Sequence, residues 1–154
     1  MFFYGCSIHN ACITGEPKVV KLFFKFSDLD INILNKYNKA WYHLLLGQKT
    51  HKVIKIIRIL IKHGFDINHL PNDKCDSILT SFVLYFKRDF EVIEFLLKNG
   101  ADAKIMTTQK KPLFDRIQEN MKMSYTYPTS YNKDLLAINS LFLKYQKKSD
   151  NVNK

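Results

Sequence analysis

Residues 56–68 read IIRILIKHGFDIN, and the pattern returns at residues 92–104 as VIEFLLKNGADAK. Gly64 and Gly100 lie 36 residues apart, as do Asp66 and Asp102, and a further 36 residues back from Asp66 is Asp30 in the tripeptide Asp30-Ile31-Asn32. Within each copy the apolar positions follow i, i+3, i+4, the stripe of a helix with one buried face. A fixed period of this size predicts a stacked repeat, in which one helical unit cannot bury its apolar face alone and closes it against the next.

Each unit is expected to be a helical pair. In the first, a short helix at residues 8–12 runs to Gly15-Glu16-Pro17, and Pro17 suits the first turn of a second helix over residues 18–26. That helix is expected to put Val19, Val20, Phe23 and Phe24 inward and Lys18, Lys21 and Lys25 outward. In the second unit, residues 39–44 open a first helix, and residues 52–63 form an outer one with Ile56, Ile57, Leu60 and Ile61 inward. Gly64 fits the left-handed position that ends a helix, where the missing Cβ avoids a clash. The third unit starts at residues 77–79, runs through Phe82, Val83 and Phe86, and reopens at Asp89, a residue suited to cap a helix carrying Val92, Ile93, Leu96 and Leu97. In the fourth, residues 121–134 read as an irregular loop before helical pattern resumes at 135–145, and residues 146–154 read as a polar, frayed tail.

These residues resemble the ankyrin repeat. The run Ile8-His9-x-Ala11-Cys12-x-x-Gly15 followed by Val19-Val20-Lys21-Leu22-Phe23 is similar to its T-P-L-H helix, glycine and V-V-x-x-L-L helix, and Gly64-Phe65-Asp66-Ile67-Asn68 to its G-A-D-V-N loop. The resemblance implies an all-α solenoid of about four helix-turn-helix units (1–32, 33–68, 69–104 and 105–145), the last irregular. Tyr37, Cys75 and Gln109 stand where the family has glycine in the turn before T-P-L-H. Such residues take positive φ reluctantly, so the projecting turns are expected to be distorted or longer. The composition, rich in Ile, Asn, Lys and Tyr, is most similar to poxvirus ankyrin proteins, here in a short form without their C-terminal F-box-like segment.

By that resemblance the chain is a non-enzymatic scaffold that binds a host protein in the host cytoplasm and modulates innate signalling or host range. The contact surface carries over onto the turn tips Asn35, Lys36 and Asn38, then Asp73, Lys74 and Asp76, then Thr107, Thr108 and Lys110. Leu84 and Tyr85 join them from the first helices. A ubiquitin-ligase adaptor is not an expected partner, because Ile138, Leu141 and Phe142 are needed to pack the last helix. Two alternatives remain open: nucleic-acid binding through lysines, and a remnant of a larger ankyrin protein without a present partner.

Composition bounds these readings. The 154 residues are 46% apolar and 14% aromatic with only 5 glycines, which suits one packed domain and disfavours a glycine-rich phosphate cradle. No apolar run approaches the roughly 20 residues of a membrane span, and no basic leader with a small-residue cleavage site opens the chain. A net charge of +10 attracts phosphate, yet Arg58, Arg88 and Arg116 are the only arginines and the lysines are scattered, so nucleic acid is the less favoured partner. Cys6, His9 and Cys12 have the spacing C-x2-H-x2-C but no fourth ligand nearby, so packing is favoured over zinc and no cofactor is expected. Cys75 reads, like the other two cysteines, as a thiol. Asp30, Asp66 and Asp102 recur once per unit and are expected to bond loop N–H groups instead of converging as catalytic carboxylates.

Overall fold

A computed structural model describes residues 7–26, 30–45, 47–85, 89–126 and 131–152. Its order is α1 (Ser7–Ile13), α2 (Pro17–Phe26), a 3₁₀ helix (Trp41–Leu45), α3 (Thr50–Lys62), α4 (Ile78–Leu84), α5 (Phe90–Lys98), α6 (Leu113–Thr126) and α7 (Tyr131–Val152). Among the described residues extended pairing is confined to two isolated bridges, Asn72 with Cys75 and Met106 with Pro112. The chain is therefore all-α, and it divides into two compact units, Met1–Ile78 and Leu79–Lys154.

In the first unit α1 packs on α2 and on the 3₁₀ helix, and α2 packs on α3. Pro17 begins α2, where no intrahelical N–H is lost. Val20 is fully buried, Phe23 and Phe24 are half-buried, and Val19 is 39% exposed. This corrects the expected core. Phe23 and Phe24, at i+3 and i+4 from Val20, centre the packed face of α2 on Val20, and Val19, about 100° round the helix, falls at its solvent edge. Val19 and Leu22 turn to solvent together.

The first helix expected at residues 39–44 is instead a single 3₁₀ turn. Asn38 at φ +56° and Gly47 at φ +74° bracket it. So short an interval favours the tighter helix, which occurs in short pieces. Trp41, Tyr42 and Leu45 are nonetheless fully buried, with the Trp41 indole edge-on to Tyr42 at 5.3 Å and to Phe65 at 4.8 Å between centroids. In α3, Val53, Ile56, Ile57 and Leu60 face inward as their spacing requires, while Ile61 is half-buried at the edge of the stripe.

In the second unit α7 packs against both α5 and α6. The Asp89 carboxylate accepts the Val92 N–H at 3.3 Å and caps α5, whose Val92, Ile93, Leu96 and Leu97 are buried. Helix α4 is enclosed more completely, because Ser77, Thr80 and Ser81 are as buried as Ile78, Leu79 and Val83. The irregular loop expected over residues 121–134 is largely helix. Helix α6 continues to Thr126 and α7 starts at Tyr131, leaving residues 127–130 outside the described ones. Helix α7 also runs on to Val152 where a frayed tail was expected. Its seam of Leu135, Ile138, Leu141 and Phe142 is buried, which supplies the tertiary packing from which most helical stability comes.

The 36-residue period reappears in geometry. At the end of α3, Gly64 takes φ +93°, Phe65 N–H donates to Leu60 C=O and Gly64 N–H to Ile61 C=O. At the end of α5, Gly100 takes φ +93°, Ala101 N–H donates to Leu96 C=O and Gly100 N–H to Leu97 C=O. Both are Schellman closures. Two residues later the carboxylate of Asp66 accepts the Asn68 N–H at 2.9 Å, and that of Asp102 accepts the Lys104 N–H at 2.8 Å. Asp30 does the same to Asn32 at 2.8 Å. The three aspartates are thus turn formers, as their spacing implies.

Candidate partner-binding surface

Two of the turns expected to project are the same structure. Asn35 N–H donates to Lys39 C=O at 3.0 Å and Asn38 N–H to Asn35 C=O at 2.9 Å. Seventy-two residues on, twice the period, Thr107 N–H donates to Lys111 C=O and Lys110 N–H to Thr107 C=O, each at 2.9 Å. Left-handed residues, Asn38 at φ +56° and Lys110 at φ +57°, close them, as in a type I turn followed by a bulge. The left-handed position falls one residue beyond Tyr37 and Gln109. Those bulky residues therefore sit in ordinary backbone, and neither turn is distorted on their account.

Side chains anchor both turns from inside. Asn35 Oδ1 accepts the N–H groups of Tyr37 and Lys39 at 2.9 and 3.0 Å, and Thr107 Oγ1 donates to Lys111 C=O at 2.9 Å. Lys36, Asn38 and Lys110 are exposed, and Thr108 is half-buried. Thr107 is buried, at 6% exposure, and belongs to the base of its turn instead of its tip. Sequence reasoning treated Tyr37 only as an awkward turn residue. It is 59% exposed, with the Lys36 ammonium 5.1 Å from its ring centroid, and its signal was an aromatic side chain in a polar turn.

The intermediate turn at residues 72–75 closes differently. Cys75 N–H donates to Asn72 C=O at 3.2 Å and Lys74 N–H to Asn72 Oδ1 at 2.8 Å, with no left-handed residue. Asp73 and Lys74 are exposed, whereas Asp76 is 5% exposed, and its carbonyl accepts the Tyr42 hydroxyl. Asp76 therefore leaves the set of expected tip residues, because it sits at the root of the turn. Tyr85 is 58% exposed at the end of α4, and Leu84 beside it is half-buried.

Polar side chains of the first unit hold one turn to the preceding helix. His9, 1% exposed, places Nε2 at 2.8 Å from Lys39 C=O, and Tyr42 OH lies 2.5 Å from Asp76 C=O and 3.7 Å from Cys75 Sγ. Burial lowers the pKa of His9 and of His43, outweighing the contacts to Lys39 C=O and Ala40 C=O, which pull the other way. Burial, then the neighbouring Cys75, raises that of the Tyr42 phenol, so it remains a donor.

The zinc spacing loses its imidazole to this role. Cys12 and Cys75 are buried thiols outside any disulfide, and Cys6 lies outside the described residues. Among the described residues no three His, Cys, Asp or Glu side chains gather at one point, and no helix is long and apolar enough to cross a membrane. The chain matches no family model and none of the curated proteins.

Proposed function

We propose that this chain is an ankyrin-type repeat scaffold that binds a host protein through its turn tips and the Tyr85 end of α4, without catalysis of its own. The observation that carries the reading is the recurrence of one closure, a left-handed glycine followed by an aspartate turn, at Gly64–Asp66 and Gly100–Asp102. A backbone that rebuilds the same corner at a fixed interval is a repeat in structure as well as in sequence. The recurrent turns at 35–39 and 107–111 present Lys36, Tyr37, Asn38 and Lys110, side chains whose backbones are already fixed and lose little entropy on binding. An aromatic with a lysine beside it suits a protein contact.

The resemblance to poxvirus ankyrin proteins adds interference with host signalling from the cytoplasm to this reading. A ubiquitin-ligase adaptor is not part of this reading, and the burial of the apolar seam of α7 supports leaving it out. A photo-crosslinking residue placed at Tyr37, Tyr85 or Lys110 is expected to trap one host protein in infected cells. Binding of that purified protein should weaken in Tyr85→Ala and Lys110→Glu and survive moderate salt. Crosslinks to RNA alone, with affinity falling steeply with salt, would favour the lysine-rich nucleic-acid reading and end this one.

A further inference from the structure

On the side of α2 away from Val20, Lys18, Lys21, Leu22 and Lys25 recur at i, i+3, i+4 and i+7 and line a groove of about 540 Å³ with Phe24 and His63. Leu22 is 54% exposed. The Phe24 ring lies flat on the His63 imidazole at the end of α3, with centroids 4.3 Å apart and planes 7° from parallel, and the pair forms a smooth apolar wall. Among the described residues no carboxylate lines it. Glu16, just before α2, is engaged by Lys52 and lowered in pKa by that contact.

We propose that this groove is a docking site for an acidic amphipathic helix of a protein partner. Among the described residues its walls come from α2 and a single residue of the α3 terminus, so a small molecule would stay largely uncovered, whereas a helix supplies its own opposite wall. One large apolar side chain of the partner enters between Leu22 and the Phe24–His63 pair. Carboxylates one turn to either side of it reach Lys18, Lys21 and Lys25, which span about 10 Å along α2. The charge is complementary to acid and to phosphate alike, but nucleic acid fits less well. One face of Phe24 is already covered by His63, which halves what it offers a stacking base, and lysine lacks the planar fork that favours arginine for phosphate. The site lies on other residues than the turn tips and stands or falls separately from them.

The test is fluorescence anisotropy of the whole chain with a labelled helical peptide of about 15 residues, built of Glu, Ala and Leu with Leu along one face. A scrambled peptide of equal composition and a short oligouridylate serve as competitors. The amphipathic peptide is expected to bind about tenfold more tightly than the scrambled one, and Leu22→Asp and Lys21→Glu should each cost about tenfold. Tyr85→Ala should leave the peptide affinity unchanged. Leu22 and Lys21 are exposed, so helical circular dichroism and melting should match the parent in both variants. No saturable binding, equal affinity for the scrambled peptide, indifference to both groove variants, or preferential displacement by oligouridylate would overturn the proposal.

Discussion

The Tyr42 hydroxyl donates to the backbone carbonyl of Asp76 at 2.5 Å, joining the 3₁₀ helix to the root of the turn that ends 34 residues later. Both residues are buried, at 1% and 5% exposure, so water cannot replace the donor. Tyr42→Phe keeps the ring edge-on to Trp41 and leaves the carbonyl without this partner. It is expected to destabilise the chain by about 1–3 kcal/mol in urea unfolding, with an unchanged dependence on urea. A loss under about 0.5 kcal/mol would mean that the turn root rearranges to satisfy the carbonyl.

The left-handed positions make a pair of opposite predictions. A Cβ at Gly100 meets nothing within 4 Å, so only backbone strain opposes Gly100→Ala at φ +93°. The expected cost is about 1–2 kcal/mol. Lys110 carries comparable strain at φ +57°. Relief of about 1–2 kcal/mol should outweigh the roughly 0.5–1 kcal/mol of chain entropy that glycine adds. Lys110→Gly should therefore raise the urea midpoint slightly while Gly100→Ala lowers it. Shifts of the same sign would contradict the φ assignments.

His9 and His43 make stability fall in acid. Their folded-state pKa values are depressed, chiefly by burial, below the usual 6.5. As pH drops through 6.5 the unfolded chain takes up protons that the folded chain resists, so the stabilisation is complete above that pH and is lost below it. His9→Gln keeps an amide donor for Lys39 C=O but cannot titrate. It should flatten the decline in melting temperature between about pH 7.5 and about pH 5.5. A slope identical to the parent's would remove His9 from the account.

Leu60 and Val19 separate a core position from one that only resembles it. Leu60 is fully buried in α3, and Leu60→Ala is expected to cost about 2–5 kcal/mol, because its neighbours close a cavity only in part. Val19 is 39% exposed, and Val19→Ala should stay within about 0.5 kcal/mol. Equal losses in calorimetry would mean that the face of α2 is misassigned.

Helices α2, α3 and α5, the glycines that end α3 and α5, the Asp89 cap and the three aspartate turns could be read from the residues. Each depends on chemistry within a few positions along the chain: a stripe at 3.6-residue period, a left-handed glycine, a carboxylate two or three residues before an N–H. The fold class and the period follow from these local rules, and so do most core residues of α3 and α5. The surface was less legible. Asp76 and Thr107 look like tip residues by polarity and position, yet they lie buried at the roots of their turns, while Tyr37, set aside for its bulk, is exposed.

The sequence determined where the backbone must turn, because φ preferences and side-chain caps act locally. Only the tertiary structure decided which of Val19 and Val20 is buried, that residues 41–45 wind as a 3₁₀ turn, and that Leu22, Phe24, His63 and the α2 lysines line one groove. Those outcomes depend on what stands opposite each element. A local pattern fixes the period of a helix but leaves its rotation to be set by the neighbours it packs against.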